Sequence, residues 1–345
     1  MKFSSTIILT LLLLIGLVLI EKYYCTTPNK TAMRFIVTTK KENNFTSIEL
    51  IDTELHTSAI IYSVGAIVNA FNIKVWGNTL NVIDGFSSLQ DASNNMSVAF
   101  KSAKLSPFVC RLNKGTYTFN EQQFKIEKFY LGESAIHGVV FDENFEVLAT
   151  HADSHQATVG LRYIYNATDK GYPFTYELLI NWKLEADNKL SVTTKAIHHN
   201  NTPIPFADGW HPYFTLGNSI NDCSLQFETD SSIEFNEQLI PTGKILHNNL
   251  FQKEQLIANS FLDNLFVLKH PGTSACIFKN KQLQLTIQPD KNYPYLQVYT
   301  PPHRKSIAIE NLSSVPDAFN NKMGLLLLEP NQQYNFTTTY QLTIL

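Results

Sequence analysis

From Arg34 to the C-terminus the chain is a succession of short runs rich in Val, Ile, Thr, Tyr and Phe, and no other feature constrains its fold as much. RFIVTT, AIIYSV, GTYTFN, TVGLRYIY, TYELLINWKLE, KLSVTTKAI, QLQLTIQ and YNFTTTYQLTIL are representative, and many of them alternate polar with apolar residues. Branched and aromatic side chains fit a pleated, half-buried surface, and alternation puts every second side chain on one face. Turn residues separate the runs, as at Asn113-Lys114-Gly115, Asp169-Lys170-Gly171, Asp187-Asn188-Lys189 and Pro271-Gly272-Thr273. Apolar helical periodicity over about ten residues or more is hard to find in this region. No like-charge run, Pro-rich linker or internal repeat divides it. The expected fold is all-β, one large antiparallel β-sandwich over residues 33–345. Distinctive polar residues then fall at strand ends and in loops, where a large sandwich lines a concave sheet.

The first 25 residues read differently. Lys2 is followed by no charged residue until Glu21, and the densest apolar stretch runs from Ile7 to Ile20. This predicts a signal peptide or an N-terminal membrane anchor over residues 1–25. The protein is therefore expected outside the cytoplasm, secreted or periplasmic, with membrane association through this segment only. Lys22, Tyr23 and Tyr24 are too bulky to form a lipobox ahead of Cys25. The four cysteines, Cys25, Cys110, Cys223 and Cys276, form no C-x-x-C pair and are expected as free thiols. With 27 basic and 30 acidic residues the formal net charge is −3, which supplies no field for nucleic acid.

Five residues stand out as carriers of chemistry. His211 lies in DGWHPYFTL, where Asp208-Gly209 makes a turn and Pro212 fixes the backbone directly after the histidine. An imidazole held this way suits a general acid, because its free pKa is near neutrality. A core histidine under aromatic packing is the plainer explanation, but so many constrained neighbours favour a working group. Glu310 closes the apolar run Ile307-Ala308-Ile309, where a carboxylate is costly unless it is paired or working. A surface glutamate at a strand end is the alternative. His137 precedes Gly138, which permits close approach of a ligand or backbone, although turn packing explains a lone His-Gly more plainly. Arg111 interrupts an apolar strand before a hairpin, and its fork suits sugar or carboxylate oxygens; an edge-strand arginine reaching solvent is the alternative. Asp263 sits among apolar residues, where an Asx-turn explains it equally well. Trp182 and Trp210 offer faces for a sugar, although Trp182 reads as core. No H-E-x-x-H, G-x-S-x-G, P-loop or G-x-G-x-x-G occurs, and no histidine pair has metal-ligand spacing on a helix.

The order of these pieces resembles the aldose 1-epimerase (galactose mutarotase-like) family. SVGAIVNAF, LSPFVCRLNKGTYTF, AIHGVVF, IPFADGWHPYFTL, FLDNLFVL and IAIENLSSVPDAFNN carry the likeness in sequence. The most specific pair is GWHPYF followed by E…PDAFN. The resemblance implies a large antiparallel β-sandwich that interconverts the α and β anomers of a free aldohexose without cofactor or metal. It implies His211 as catalytic acid and Glu310 as catalytic base, on opposite sides of the sugar ring. Arg111, His137 and Asp263 would hold hydroxyls. Valines follow His137-Gly138 where galactose mutarotases have a second glycine, so the loops that choose a hexose are not implied. A non-catalytic carbohydrate-binding protein, a hexose-6-phosphate 1-epimerase with Arg162 or Arg304 as phosphate holders, and a polysaccharide lyase are the rival readings.

Cell fractionation tests the leader: the mature chain is expected outside the cytoplasm, and full-length protein in the soluble cytoplasm would contradict the reading.

Overall fold

The computed structural model describes residues 33–345, without 218 and 274. The expected leader over residues 1–25, with Cys25, lies outside the described residues. Among those described, Cys110, Cys223 and Cys276 are free thiols.

Three antiparallel sheets hold most of the chain. Phe35–Glu42, Phe45–Asp52, Thr57–Tyr62, Val68–Val75 and Asn78–Asn81 form a meander in chain order. A nine-stranded sheet is built around Gln156–Tyr165, Tyr176–Glu185, Lys189–Ile197 and Tyr334–Ile344. The third sheet runs Pro241–His247, Thr229–Phe235, Asp263–Leu268, Tyr295–Tyr299, Ile307–Leu312, Gly209–His211, Ala103–Leu105, with Tyr213–Phe214 also paired to Ile307–Leu312. This is the all-β antiparallel sandwich that the alternating runs predict.

The nine-stranded and third sheets face each other across an apolar core. Trp182 meets Trp210 edge to face at 5.6 Å, and Phe214 lies 5.6 Å from Tyr340. The strand Tyr176–Glu185 shows why its sequence folds this way: its inward residues Tyr176, Leu178, Ile180, Trp182 and Leu184 are buried, while those between them reach the surface. Trp182 is the core residue that the sequence indicated, and its Nε1 donates to the Ala66 carbonyl at 2.8 Å, tying the meander to the core. Trp210 is a correction. It lies between the sheets, 2% exposed, and offers no face to a sugar.

A second correction is the helix Leu89–Ala99. Its sequence, LQDASNNMSVA, is too polar to show a continuous apolar face. Three contacts suffice: Leu89, Ala92 and Met96 are buried at helical spacing. Ser88 caps the start by accepting from the Asp91 amide, and Asp91 accepts in return from the Ser87 amide and hydroxyl. The C-terminal end, Ser97 to Phe100, forms one wall of a cleft in the third sheet.

Gly138 is fixed by close approach. Its φ is +80°, and an added Cβ would lie 2.0 Å from the Ser106 carbonyl oxygen. Gly132 has φ +63° but open space around it. Gly138→Ala is therefore expected to cost more than the roughly 1–3 kcal/mol of backbone strain alone, and Gly132→Ala only that strain. Urea denaturation of both variants checks this, and equal midpoints would contradict it.

Candidate active site

The site is assembled by strand register. All six residues of Ile307–Leu312 are buried. The sequence places Glu310 at the end of an apolar run, but the strand continues two residues further. Glu310 stands opposite Gln297 on Tyr295–Tyr299. On its other side the chain pairs twice around Pro212: Gly209 with Leu312, then Tyr213 with Ala308. Gly209 is needed here, since an added Cβ would meet the Leu312 side chain at 2.6 Å. Alternation along Gly209–His211 sends Trp210 into the core and His211 into the cleft.

His211 Nε2 then lies 3.4 Å from Glu310 Oε1. The side chains are 8% and 2% exposed. The two groups are neighbours on adjoining segments. The His137 ring stands edge-on to His211, 4.9 Å between centroids, and 4.5 Å from Phe100. His137 has φ +64°, and its amide donates to the Cys110 carbonyl at 2.8 Å. Its predecessor Ile136 pairs with Arg111, so histidine and arginine share one edge of the cleft. Asp263 opens the strand Asp263–Leu268 and accepts from Gln297 Nε2 at 2.7 Å. The Asp317 amide donates to the Arg111 carbonyl at 2.7 Å, and Asp317 Oδ1 accepts from the Asn113 amide. PDAFN thus braces the arginine strand.

All five sequence-derived residues, His211, Glu310, Arg111, His137 and Asp263, line this one cleft of about 320 Å³. That volume lies within the roughly 300–1,000 Å³ of small-molecule sites. Gln297 is a cleft residue that the sequence does not mark out. YLQVYT reads as an ordinary strand, and only the register shows its glutamine beside the glutamate. Tyr213, Tyr299 and Phe100 supply the aromatic walls that Trp210 does not. Four buried polar atoms of cleft residues have no hydrogen-bond partner among the described residues: His137 Nδ1, His211 Nδ1, Gln297 Oε1 and Glu310 Oε2. Buried polar atoms are seldom left unpaired, so four at one cleft mark a site for a polar ligand. Arg111 is the one Lys or Arg lining it among the described residues. Arg162 is bound to Glu177 at 2.7 Å, and Arg304 donates to the Ser260 and Ala258 carbonyls.

Burial sets the protonation. It pulls the His211 imidazole down to about 4. It pushes the Glu310 carboxyl well above the usual carboxylate range, and the negative charge of Asp263 adds to this. His137 is held well below its ordinary value by burial, then by the charges of His211 and Arg111. Burial also raises Asp263, against the opposing pull of Arg111 and the Gln297 hydrogen bond. Burial thus disfavours the charged form of both the carboxyl and the imidazole that faces it.

Two outcomes follow. Asp263→Asn removes a negative charge near Glu310, so Glu310 is expected to titrate at lower pH in carboxyl NMR; an unchanged or higher value would contradict this electrostatic account. The unfolded chain takes a proton on His211 near 6.5 and the folded chain only near 4, so more protons bind the unfolded state between these values. Stability should therefore fall as pH drops through that window, and His211→Asn should flatten part of the slope in urea titrations.

Comparison with known proteins agrees with this architecture. The family model described as aldose 1-epimerase matches residues 47–341. The uncharacterised protein YihR of Escherichia coli K12 is 25% identical over 246 residues, 69% of this chain and 78% of YihR. Galactose mutarotase of Sus scrofa is 23% identical over 322 residues, 82% of this chain and 90% of the pig protein. Among solved structures, a galactose mutarotase-like protein from Clostridium acetobutylicum superposes with a TM-score of 0.79 at 17% identity, covering 90% of this chain and 99% of that one. The aldose epimerase homologue from C. elegans gives 0.76 at 19% identity, covering 89% of this chain and 100% of that one. At such identities the structural likeness speaks to the fold alone, and the extent of the family match decides the assignment: the chain belongs to the aldose 1-epimerase family.

Proposed function

We propose that the protein interconverts the α and β anomers of a free aldohexose by opening and reclosing the hemiacetal ring. The observation that carries this reading is the carboxyl–imidazole contact of 3.4 Å inside a cleft whose polar atoms await partners. Ring opening requires a base to take the proton of the C1 hydroxyl while an acid protonates the ring oxygen. The bond from C1 to the ring oxygen breaks, and C1 becomes an aldehyde. Rotation about C1–C2 presents the other carbonyl face, and closure reverses both transfers. Nothing is oxidised or reduced. Both oxygens are bonded to C1, so an acid and a base lying side by side reach them from one edge of the ring.

Glu310 is the base and His211 the acid in this mechanism. Their reactive form, carboxylate beside imidazolium, contains the same single proton as the neutral pair. It therefore arises by moving that proton between the two groups rather than by binding or losing one. Sugar hydroxyls donating to Glu310 Oε2 favour the carboxylate, because hydrogen bonds to the charged form stabilise it. Arg111, His137, Asp263 and Gln297 hold the remaining hydroxyls and keep the open aldehyde placed for reclosure.

The cleft favours an uncharged sugar over a hexose 6-phosphate. A phosphate calls for several cations, and Arg162 and Arg304 are both engaged elsewhere. A binding protein has no use for a proton-sharing pair at the expense of burying it. Export through the N-terminal segment, with a small free sugar as the only partner, remains part of this proposal.

Polarimetry on fresh α-aldose tests it. Glu310→Gln and His211→Asn are each expected to lower turnover by roughly two to four orders of magnitude, the range of a lost general base or acid. Sugar affinity should change far less. The double variant should be little worse than the worse single one, since the transfers act as a unit. Wild-type activity should fall at low pH, where the pair gains a second proton, and at high pH, where it loses its only one. Near-normal turnover in Glu310→Gln would overturn the assignment of the base, and a wild type that binds sugar without turnover would leave a binding protein.

A further inference from the structure

Behind the strand of His211, on the face away from the cleft, lies a charged group that the mechanism does not use. Lys104 and Asp208 form an ion pair with Nζ 2.6 Å from Oδ2, and both side chains are 0% exposed. Lys104 belongs to Ala103–Leu105, where it stands directly opposite Trp210, while Ala103 stands opposite His211. Its ammonium also donates to the Gly209 carbonyl at 3.2 Å and to Thr194 Oγ1 at 3.1 Å, and it sits 4.3 Å over the Trp210 ring. Thr194 lies on the nine-stranded sheet, so this one ammonium bridges the two layers of the sandwich.

Asp208 is the junction. Its Oδ2 also accepts from the Tyr293 hydroxyl at 2.6 Å. Its amide donates to Ser313 Oγ at 2.8 Å, and its carbonyl accepts from the Ser313 amide at 2.9 Å. Ser313 directly follows the strand of Glu310, and Asp208 lies three residues before His211. Asp208 therefore stitches the segment of the acid to the segment of the base.

A fully buried ion pair is a poor way to gain stability, since an apolar pair of similar size does as well or better. Burial pulls Lys104 down to about 8 and pushes Asp208 up, both against the attraction between them. What the pair supplies that apolar packing lacks is direction: several hydrogen bonds of fixed geometry on one short strand.

We infer that Lys104 and Asp208 are positioning residues, which hold the backbone from Asp208 to His211 so that the imidazole keeps its contact with Glu310. The inference rests on the proposed acid–base roles for its effect on turnover, but not for its effect on the place of His211. A misplacement of about 1 Å at reacting groups costs about 10²-fold in rate.

The test is the double variant Lys104→Met/Asp208→Asn, which removes both charges together and leaves neither one buried alone. Two readouts are taken on the folded full chain: kcat and KM for anomer exchange, and the ring signals of His211 in histidine-labelled protein, assigned with His211→Asn. The expected result is a fall in kcat of about 10²-fold with KM nearly unchanged, together with shifted His211 signals and a moved titration. A folded double variant with wild-type kcat and superimposable His211 signals would overturn the inference and leave the pair as core packing. If the wild type shows no anomer exchange, the functional reading fails, and the His211 signals alone decide: shifted supports positioning, unchanged refutes it. If the double variant does not fold, Tyr293→Phe removes one hydrogen bond from Asp208 and is read the same way. A lower kcat and shifted His211 signals support the inference, and no change in either overturns it.

Discussion

The site depends on one constraint: a carboxyl group is placed in the middle of a sheet on a strand with no exposed residue. A buried carboxylate without a partner is costly, so the chain around Glu310 has to supply either a proton or a neighbour. It supplies both. The register with Tyr295–Tyr299 brings Gln297 alongside, and the double pairing on either side of Pro212 brings His211 to 3.4 Å. Pro212 matters because it interrupts the partner strand between its two pairings, while alternation along Gly209–His211 turns the histidine into the cleft.

Low dielectric then does the chemical preparation. The same burial that disfavours a charge on Glu310 disfavours one on His211, raising the carboxyl and lowering the imidazole. In the proposed mechanism the neutral and the charged forms of the pair differ only in where one proton sits. The buried ammonium on the reverse side of the strand belongs to the same logic, because a proton moves efficiently only between groups whose distance is held.

Much of this was legible in the sequence. Alternating runs and turn residues indicated an antiparallel sandwich, since the strand period is written residue by residue. His211 and Glu310 stand out as polar residues in a constrained or apolar setting, whereas Arg111, His137 and Asp263 are singled out mainly by the family resemblance, and all five meet at one cleft. What stayed hidden depends on pairing across the chain. Gln297 looks like an outward strand residue until its register with Glu310 is known. Trp210 looks like a sugar platform until alternation with His211 turns it into the core. Lys104 in AFKSAKLSPF gives no sign that its ammonium lies between two sheets. The helix Leu89–Ala99 escaped because three buried contacts and a serine cap, rather than a full apolar face, hold it.

The most direct test of the central claim, that this carboxyl–imidazole pair opens a hemiacetal, is exchange NMR at equilibrium on an aldose labelled at C1. Cross-peaks between the α and β signals should grow in proportion to added protein. The matching methyl glycoside carries no proton on its C1 oxygen, so its anomers should show no exchange. Binding of the free sugar without any protein-dependent cross-peak would contradict the account.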